Sequence, residues 1–490
     1  MLRRTKIIAT LGPATDDPKT LDKVIKAGVD VVRLNFSHQT AEIHQQRLNA
    51  IKRTCINIYG RPVGVIADLQ GPKIRIERFT EGKIILKKAD IFTLDAAWPS
   101  EGGNQDCVGL TYKQLPKDVK KSDVLLLDDG RIELKVTHVQ GTQIKCKVIV
   151  GGALSNGKGI NRQGGGLSAA ALTHKDRSDI AVAAAMQVDY IAVSFPRNAD
   201  DIHEARELLY AAGGKGGVIA KIERAEALTH HEEIIRAADA IMVARGDLGV
   251  EIGDANLPPV QKMLIKKARD LNKLVITATQ MMESMIESPI PTRAEVSDVA
   301  NAVFDGTDAV MLSAETAMGK YPEEAVAAMS RVCREAEKQP IVRVSSHRLD
   351  SQFGRIDEAV AMATMYTANH LLNIKAIAAL TESGSTPLWM SRIHSGIPIF
   401  AFSRQVGTCR RVTLYRGVYP IHMESISEVD TVQVNQIVID ELLQRGAVSK
   451  GDLVIITKGD LKGISGGTNL MKIVCVGETN FELPIPPTVL

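Results

Sequence analysis

The 490-residue chain carries a formal net charge of +3, with 44% hydrophobic and 24% charged residues. So small a charge argues against nucleic acid or an anionic membrane surface as partner, and the composition carries no signal of disorder. The length allows several domains around large cores.

Met1 to Arg4 is basic but runs at once into a strand-like segment, so no signal-peptide core is formed, and no apolar run approaches membrane-spanning length. Cys55, Cys107, Cys146, Cys333, Cys409 and Cys475 are scattered, with no CxxC pair. This is the usage of a reducing compartment, and a cytoplasmic, soluble protein is expected.

Strand-like runs recur at Lys6–Thr10, Val31–Phe36, Val63–Leu69, Tyr190–Pro196, Gly217–Glu223, Ala240–Gly246, Leu274–Met281 and Ala309–Glu315. Helical patterns separate most of them, among them Pro18–Ala27, Glu42–Cys55, His174–Met186 and Pro259–Leu271. Eight such strands close a parallel (β/α)8 barrel of the TIM type, whose chemistry gathers at the C-terminal strand ends. Those ends carry Arg33, Asn35, Ser37, Asp68, Lys221, Glu223, Arg245, Asp247, Thr279, Gln280, Ser313 and Glu315, a polar ring of the kind such a barrel requires.

The sharpest signal lies in two consecutive runs. Apolar segments ending at Ile222 and Ala244 turn abruptly charged, which sets Glu223 and Asp247 just past two strand ends. Two carboxylates plus substrate oxygens suit Mg2+ or Mn2+ better than a His/Cys metal. Lys221, two residues before Glu223, shares its face of an extended chain. A lysine beside two carboxylates and a cation points to an anionic substrate; a salt-bridged strand end is the alternative for this pair taken alone.

Between the third and fourth strands the connection is far longer than a crossover needs. This insert, 71–168, carries β-rich runs at Lys83–Leu86, Val124–Leu127, Arg131–His138 and Ile144–Val150, and predicts a small β-barrel domain acting as a lid. Gly152 to Lys158 matches GxxxxGK, but Gly159 stands where a phosphate-binding loop needs Ser or Thr. Its glycines read instead as flexible lid edges, with Lys158 able to reach a phosphate. The barrel is assigned 1–70 and 169–340. After a linker, helix and strand alternate through 356–478 (strands Ala376–Thr381, Ile399–Ser403, Val418–His422, Leu453–Lys458 and Met471–Val476), predicting an open α/β sheet domain, with 479–490 a tail.

The segments Lys6–Pro13, Arg33–His38, Asp68–Arg75, Ala220–Glu223, Ala244–Gly249, Ala278–Met285 and Leu312–Thr316, in this order, resemble the pyruvate kinases of bacteria. The resemblance implies phosphoryl transfer from phosphoenolpyruvate to ADP, giving pyruvate and ATP. It also implies a barrel with a lid and a C-terminal allosteric domain, assembled as a homotetramer. Glu223 and Asp247 would hold the divalent ion, and Lys221 would neutralise the transferring phosphoryl and the enolate oxygen. Arg33 would clamp phosphate. Gly246, Asp247 and Thr279 would bind the substrate carboxylate, with Thr279, Ser313 and Glu315 in the proton relay. Asn35, His38, Arg75 and Lys158 fall to the nucleotide. In many relatives K+ sits at the positions of Asn35, Ser37, Asp68 and the Leu69 carbonyl; this chain departs from that pattern with Leu69 and Lys73, so activity without K+ is expected. Thr381, Ser383, Gly384, Ser385 and Thr386 would bind a sugar-phosphate or nucleotide effector, with Gly463–Thr468 closing over it. A metal-dependent pyruvate or oxaloacetate aldolase is the rival, opposed by the lid, Lys221, Arg33 and Arg75.

Overall fold

The computed structural model describes residues 2–54, 61–343, 351–424, 431–460 and 466–477. Cys55, part of the linker, the first part of the Gly463–Thr468 loop, the first residues of the Val429–Arg445 helix and the 479–490 tail lie outside them.

Eight parallel strands close a barrel: Lys6–Thr10, Val31–Asn35, Gly64–Asp68, Tyr190–Val193, Gly217–Ile222, Ala240–Ala244, Leu274–Ala278 and Ala309–Leu312. Their residues are Val, Ile, Leu and Ala on both faces because both faces are covered. Ile8, Ile66, Ala192, Ile219, Met242 and Ile276 fill the barrel, while Ile7, Val65, Ile191, Val218, Ile241 and Val275 pack outward with the apolar stripes of the surrounding helices. The period-two alternation carries the inward direction up to the rim. Arg33 follows Val31, Asp68 follows Ile66, Ser194 follows Ala192 and Lys221 follows Ile219, so all four enter the mouth of the barrel.

The expected barrel strands start where the structure starts them or one residue early; the first also ends as expected at Thr10, but the other seven run long at the C-terminal end. The eighth stops at Leu312 instead of Glu315, because Ala314–Ala317 is already helical. The seventh stops at Ala278 instead of Met281, because Thr279 and Gln280 turn into the left-handed region at φ +70° and +54°.

The insert after the third strand folds as a six-stranded and a two-stranded sheet around its own core of Phe92, Leu94, Leu125, Leu134, Ile144 and Val148. Strands Ile91–Asp95, Cys107–Gly109, Gly152–Ser155 and Ile160–Arg162 join the four expected runs. The C-terminal sheet has five strands, four of them parallel and the last, Leu470–Cys475, antiparallel. It packs under the barrel floor, away from the rim. Lys6 Nζ donates to Val418 O at 2.5 Å, Tyr190 Oη to Arg411 O at 3.0 Å and Arg410 Nε to Asp189 Oδ1 at 3.0 Å. Arg392 forks onto Asp308, both side chains 1% exposed. No described helix is long and apolar enough to cross a membrane.

Candidate active site

At the rim, Lys221 is the centre of a buried polar network. Its Nζ lies 3.2 Å from Asp68 Oδ1, 3.0 Å from Glu223 Oε1 and 2.6 Å from Ser194 Oγ. Arg33 Nε donates to Asp68 Oδ2 at 2.6 Å, and its Nη1 to Thr10 Oγ1 at 3.1 Å. Burial alone would push the Asp68 carboxyl up, but Lys221 and Arg33 hold it below its ordinary value. Burial would likewise lower Lys221, yet Asp68 and Glu223 keep it above the ordinary lysine value and hence cationic. Glu223 goes the other way: burial raises it, Lys221 opposes, and Asp247 and Asp68 raise it further. A buried carboxylate whose charge is destabilised by a neighbouring carboxylate is a donor suited to a cation.

The chain around these groups carries backbone strain that hydrogen bonds hold in place. Phe195 sits at φ +56° and its N–H donates to Glu223 Oε2 at 2.9 Å. Across the mouth, Arg245 Nη2 donates to Thr279 O at 2.6 Å, and its Nη1 is 2.7 Å from Asp298 Oδ2. A β-branched residue at positive φ costs free energy, and this clamp holds it there. The Thr279 hydroxyl accepts from Gly246 N–H at 2.9 Å and donates to Ala278 O at 2.6 Å. Asp247 lies on the first turn of helix Arg245–Ile252, with Lys73 Nζ at 3.0 Å from its Oδ1.

The fit of a divalent ion is testable on these residues. Glu223 and Asp247 offer hard oxygens, each now opposed by a lysine. No group of three or more His, Cys, Asp or Glu that could hold a metal alone occurs among the described residues. Such a pair suits an Mg2+ that takes its other ligands from substrate and water.

The remaining candidates divide. Both Glu315 oxygens accept backbone N–H groups, Oε2 from Ser313 at 2.7 Å and Oε1 from Met282 at 3.2 Å, which tethers the ends of the seventh and eighth strands. Asn35 Oδ1 accepts from Ser37 N–H at 3.2 Å, and Leu69 O accepts from Ser194 Oγ at 2.8 Å. With Asp68 paired to Arg33 and Lys221, three members of the expected K+ set have neighbours within the protein. Arg75 and Lys158 lie on the lid: Arg75 Nη1 donates to Gly157 O at 2.8 Å and Lys158 Nζ is 2.7 Å from Asp128 Oδ1. His38 is exposed at the barrel rim.

In the C-terminal domain, Gly384 N–H donates to Thr381 Oγ1 at 2.9 Å, Ser385 Oγ to Asp357 Oδ2 at 3.1 Å, and Thr386 Oγ1 is 2.7 Å from Thr468 Oγ1. These residues open helix Ser385–Ser391, one residue earlier than expected. Sequence reasoning missed Ser194, Thr10 and Phe195 and gave Arg245 no task. The alternation that places Ser194 inward after Ala192 was the available signal for it.

A barrel whose rim joins a buried lysine, an arginine and a carboxylate pair beside a separate inserted domain has the layout of an enzyme for an anionic substrate. The comparisons give the particular family. A model of the pyruvate kinase barrel domain matches residues 2–326, and one of the pyruvate kinase alpha/beta domain matches residues 358–474. The chain is 55% identical over 478 residues to the pyruvate kinase II of Salmonella typhimurium, covering 97% of this chain and 99% of that one. It is 55% identical over 463 residues to the pyruvate kinase of Haemophilus influenzae, covering 94% and 96%. Against that of Sporosarcina psychrophila it is 42% identical over 481 residues, 97% and 81% of the two chains. The chain belongs to the pyruvate kinase family, and it is a phosphotransferase.

Proposed function

We propose that the chain moves the phosphoryl group of phosphoenolpyruvate to ADP and releases pyruvate and ATP. The observation that carries this reading is the Lys221 ammonium, held cationic between Asp68 and Glu223 at the barrel mouth beside Arg33. Phosphoryl transfer needs charge neutralisation and alignment more than covalent chemistry. Lys221 faces the phosphoryl as its bond to the enol oxygen breaks, then the negative charge left on that oxygen. Arg33, steadied by Asp68 and Thr10, forks onto phosphate oxygens. Helix Arg245–Ile252 offers N–H groups of its first turn to the substrate carboxylate. Thr279, beside Gly246, hydrogen-bonds the same carboxylate and relays a proton from water to the methylene carbon of the enolate; Glu315 and Ser313 serve by fixing that rim. Glu223 and Asp247 hold Mg2+ or Mn2+, which supplies charge neutralisation at the phosphoryl oxygens when bound.

The division into barrel (1–70 and 169–340), lid (71–168), C-terminal domain (356–478) and tail (479–490) belongs to the same reading, and the lid's separate core supports it for the described residues. The lid brings Arg75 and Lys158 to the nucleotide, with Asn35 and His38 on the barrel side. K+ is not required, because Lys73 supplies a positive charge at Asp247 and the oxygens of Asn35, Asp68 and Leu69 already have partners. A sugar-phosphate or nucleotide activator binds at Thr381, Ser383, Gly384, Ser385 and Thr386, in a homotetramer in the cytoplasm.

The test is the stoichiometry of ATP and pyruvate formed from phosphoenolpyruvate and ADP. One ATP per pyruvate, lost on chelation and restored by Mg2+, supports the reading. Pyruvate formed from phosphoenolpyruvate without ADP refutes it in favour of a phosphatase, and pyruvate formed from oxaloacetate with none from phosphoenolpyruvate and ADP refutes it in favour of an aldolase or decarboxylase.

A further inference from the structure

The insert is tied to the barrel by two runs of chain, and they are built differently. The outgoing run turns at Gly71, whose N–H donates to Asp176 Oδ1 at 3.0 Å. The returning run contains Gly164, Gly165 and Gly166 at φ +79°, +76° and +88°, a sequence of left-handed residues that only glycine adopts without strain. Two glutamates without a task in phosphoryl transfer grip this return.

Gly166 N–H donates to Glu226 Oε1, and Glu226 Oε2 is buried with no hydrogen-bond partner among the described residues. Gly164 N–H donates to the backbone carbonyl of Glu251 at 3.0 Å. The Glu251 side chain accepts from Asn161 Nδ2 at 3.4 Å and from Ala225 N–H at 2.8 Å. Arg224 Nη1 adds bonds to the carbonyl oxygens of Leu167 and Ala169, 3.3 Å each. Glu226 opens helix Ala225–Thr229 just after Glu223, and Glu251 ends helix Arg245–Ile252, which begins beside Asp247. The elements that carry the metal carboxylates are therefore the elements that hold the lid's return.

We propose that Glu226 and Glu251 are positioning residues for the reaction: together they latch the return segment, residues 161–166, onto the two helices that continue from Glu223 and Asp247, and so set how closely the lid stands over the nucleotide. This rests on the reading that the lid covers the nucleotide. Loss of this N–H-to-carboxylate bond depopulates the closed lid, and apparent ADP affinity falls with that population. Lys221 and Arg33 are untouched, so the effect belongs to the nucleotide.

The test is a mutant cycle read in two ways. Glu226→Ala raises KM for ADP about tenfold, with kcat and KM for phosphoenolpyruvate changed by less than about threefold. Glu226→Gln keeps a carbonyl oxygen for Gly166 N–H and stays near the native value. In Gly165→Ala the new Cβ clashes with Glu226 Oε2 and drives the carboxylate off, whereas in the Glu226→Ala background that clash is gone and only the φ strain remains. The two substitutions are thus strongly non-additive. Hydrogen–deuterium exchange of peptides spanning 160–169 quickens in Glu226→Ala and in Gly165→Ala, a readout independent of turnover. An unchanged KM for ADP, equal effects of Ala and Gln, additivity, or unaltered exchange each overturn the latch. Native protein without ADP-dependent pyruvate release would instead overturn the function, and the exchange comparison still decides the latch. If Glu226→Ala does not fold, Gly165→Ala against Glu226→Gln decides it by the same two readouts.

Discussion

Replacing Lys73 by Met removes a positive charge from the site while keeping most of the aliphatic stem. The ammonium lies 3.0 Å from Asp247 Oδ1, with the two side chains 28% and 20% exposed, so the interaction is a charge-assisted hydrogen bond in a partly screened place. Such bonds contribute about 1.5–3 kcal/mol. If that difference is expressed in the transition state, it corresponds to a roughly ten- to hundredfold loss of turnover when no other cation takes the place. The assay is pyruvate release in tetramethylammonium buffer free of K+ and Na+, repeated with K+ added. Native protein is expected to turn over without K+. Lys73→Met is expected to lose that activity by the factor above and to regain most of it with K+, because the uncompensated Asp247 then favours a cation. A native enzyme that needs K+, or a variant indifferent to both changes, refutes the assignment of Lys73 as the built-in charge.

Arg245→Lys removes the fork that grips the Thr279 carbonyl and Asp298 at once; kcat is expected to fall about ten- to a hundredfold with KM for ADP nearly unchanged, as steady-state kinetics would show. Lys6 is buried in the barrel floor, and burial, only partly offset by Asp30, pushes its ammonium down to about 8. The folded state therefore holds fewer protons than the unfolded chain between pH 8 and the ordinary lysine value of 10.5, and stability should rise with pH across that window. Lys6→Met should abolish this rise, whose limiting slope is about 1.4 kcal/mol per pH unit, in thermal unfolding followed from pH 7 to 10.5.

The barrel was legible because each strand is an apolar run buried on both faces, which leaves little freedom in where it begins. Its strand ends were not, since residues such as Thr279 and Ser313 are polar and leave the ladder for reasons of the site rather than of propensity. In the insert, Cys107–Gly109 and Ile160–Arg162 are too short to show a period, and in the C-terminal domain helix Val406–Arg411 is too short for an apolar stripe. The grouping of Lys221 with Glu223 could be read from their two-residue spacing. Their union with Asp68, Arg33 and Ser194 depends on the closure of three further strands, which no local pattern contains. Arg245 shows the same limit: its partners Thr279 and Asp298 are distant in sequence, and only packing brings them together.

The central claim is that Lys221 neutralises the charge moved between phosphoenolpyruvate and ADP. Pyruvate release from these substrates with Mg2+, compared between the native chain and Lys221→Met, tests it most directly. The account predicts ADP-dependent release that falls at least about a thousandfold in the variant, while substrate binding to the folded barrel persists. Native turnover in Lys221→Met would contradict it.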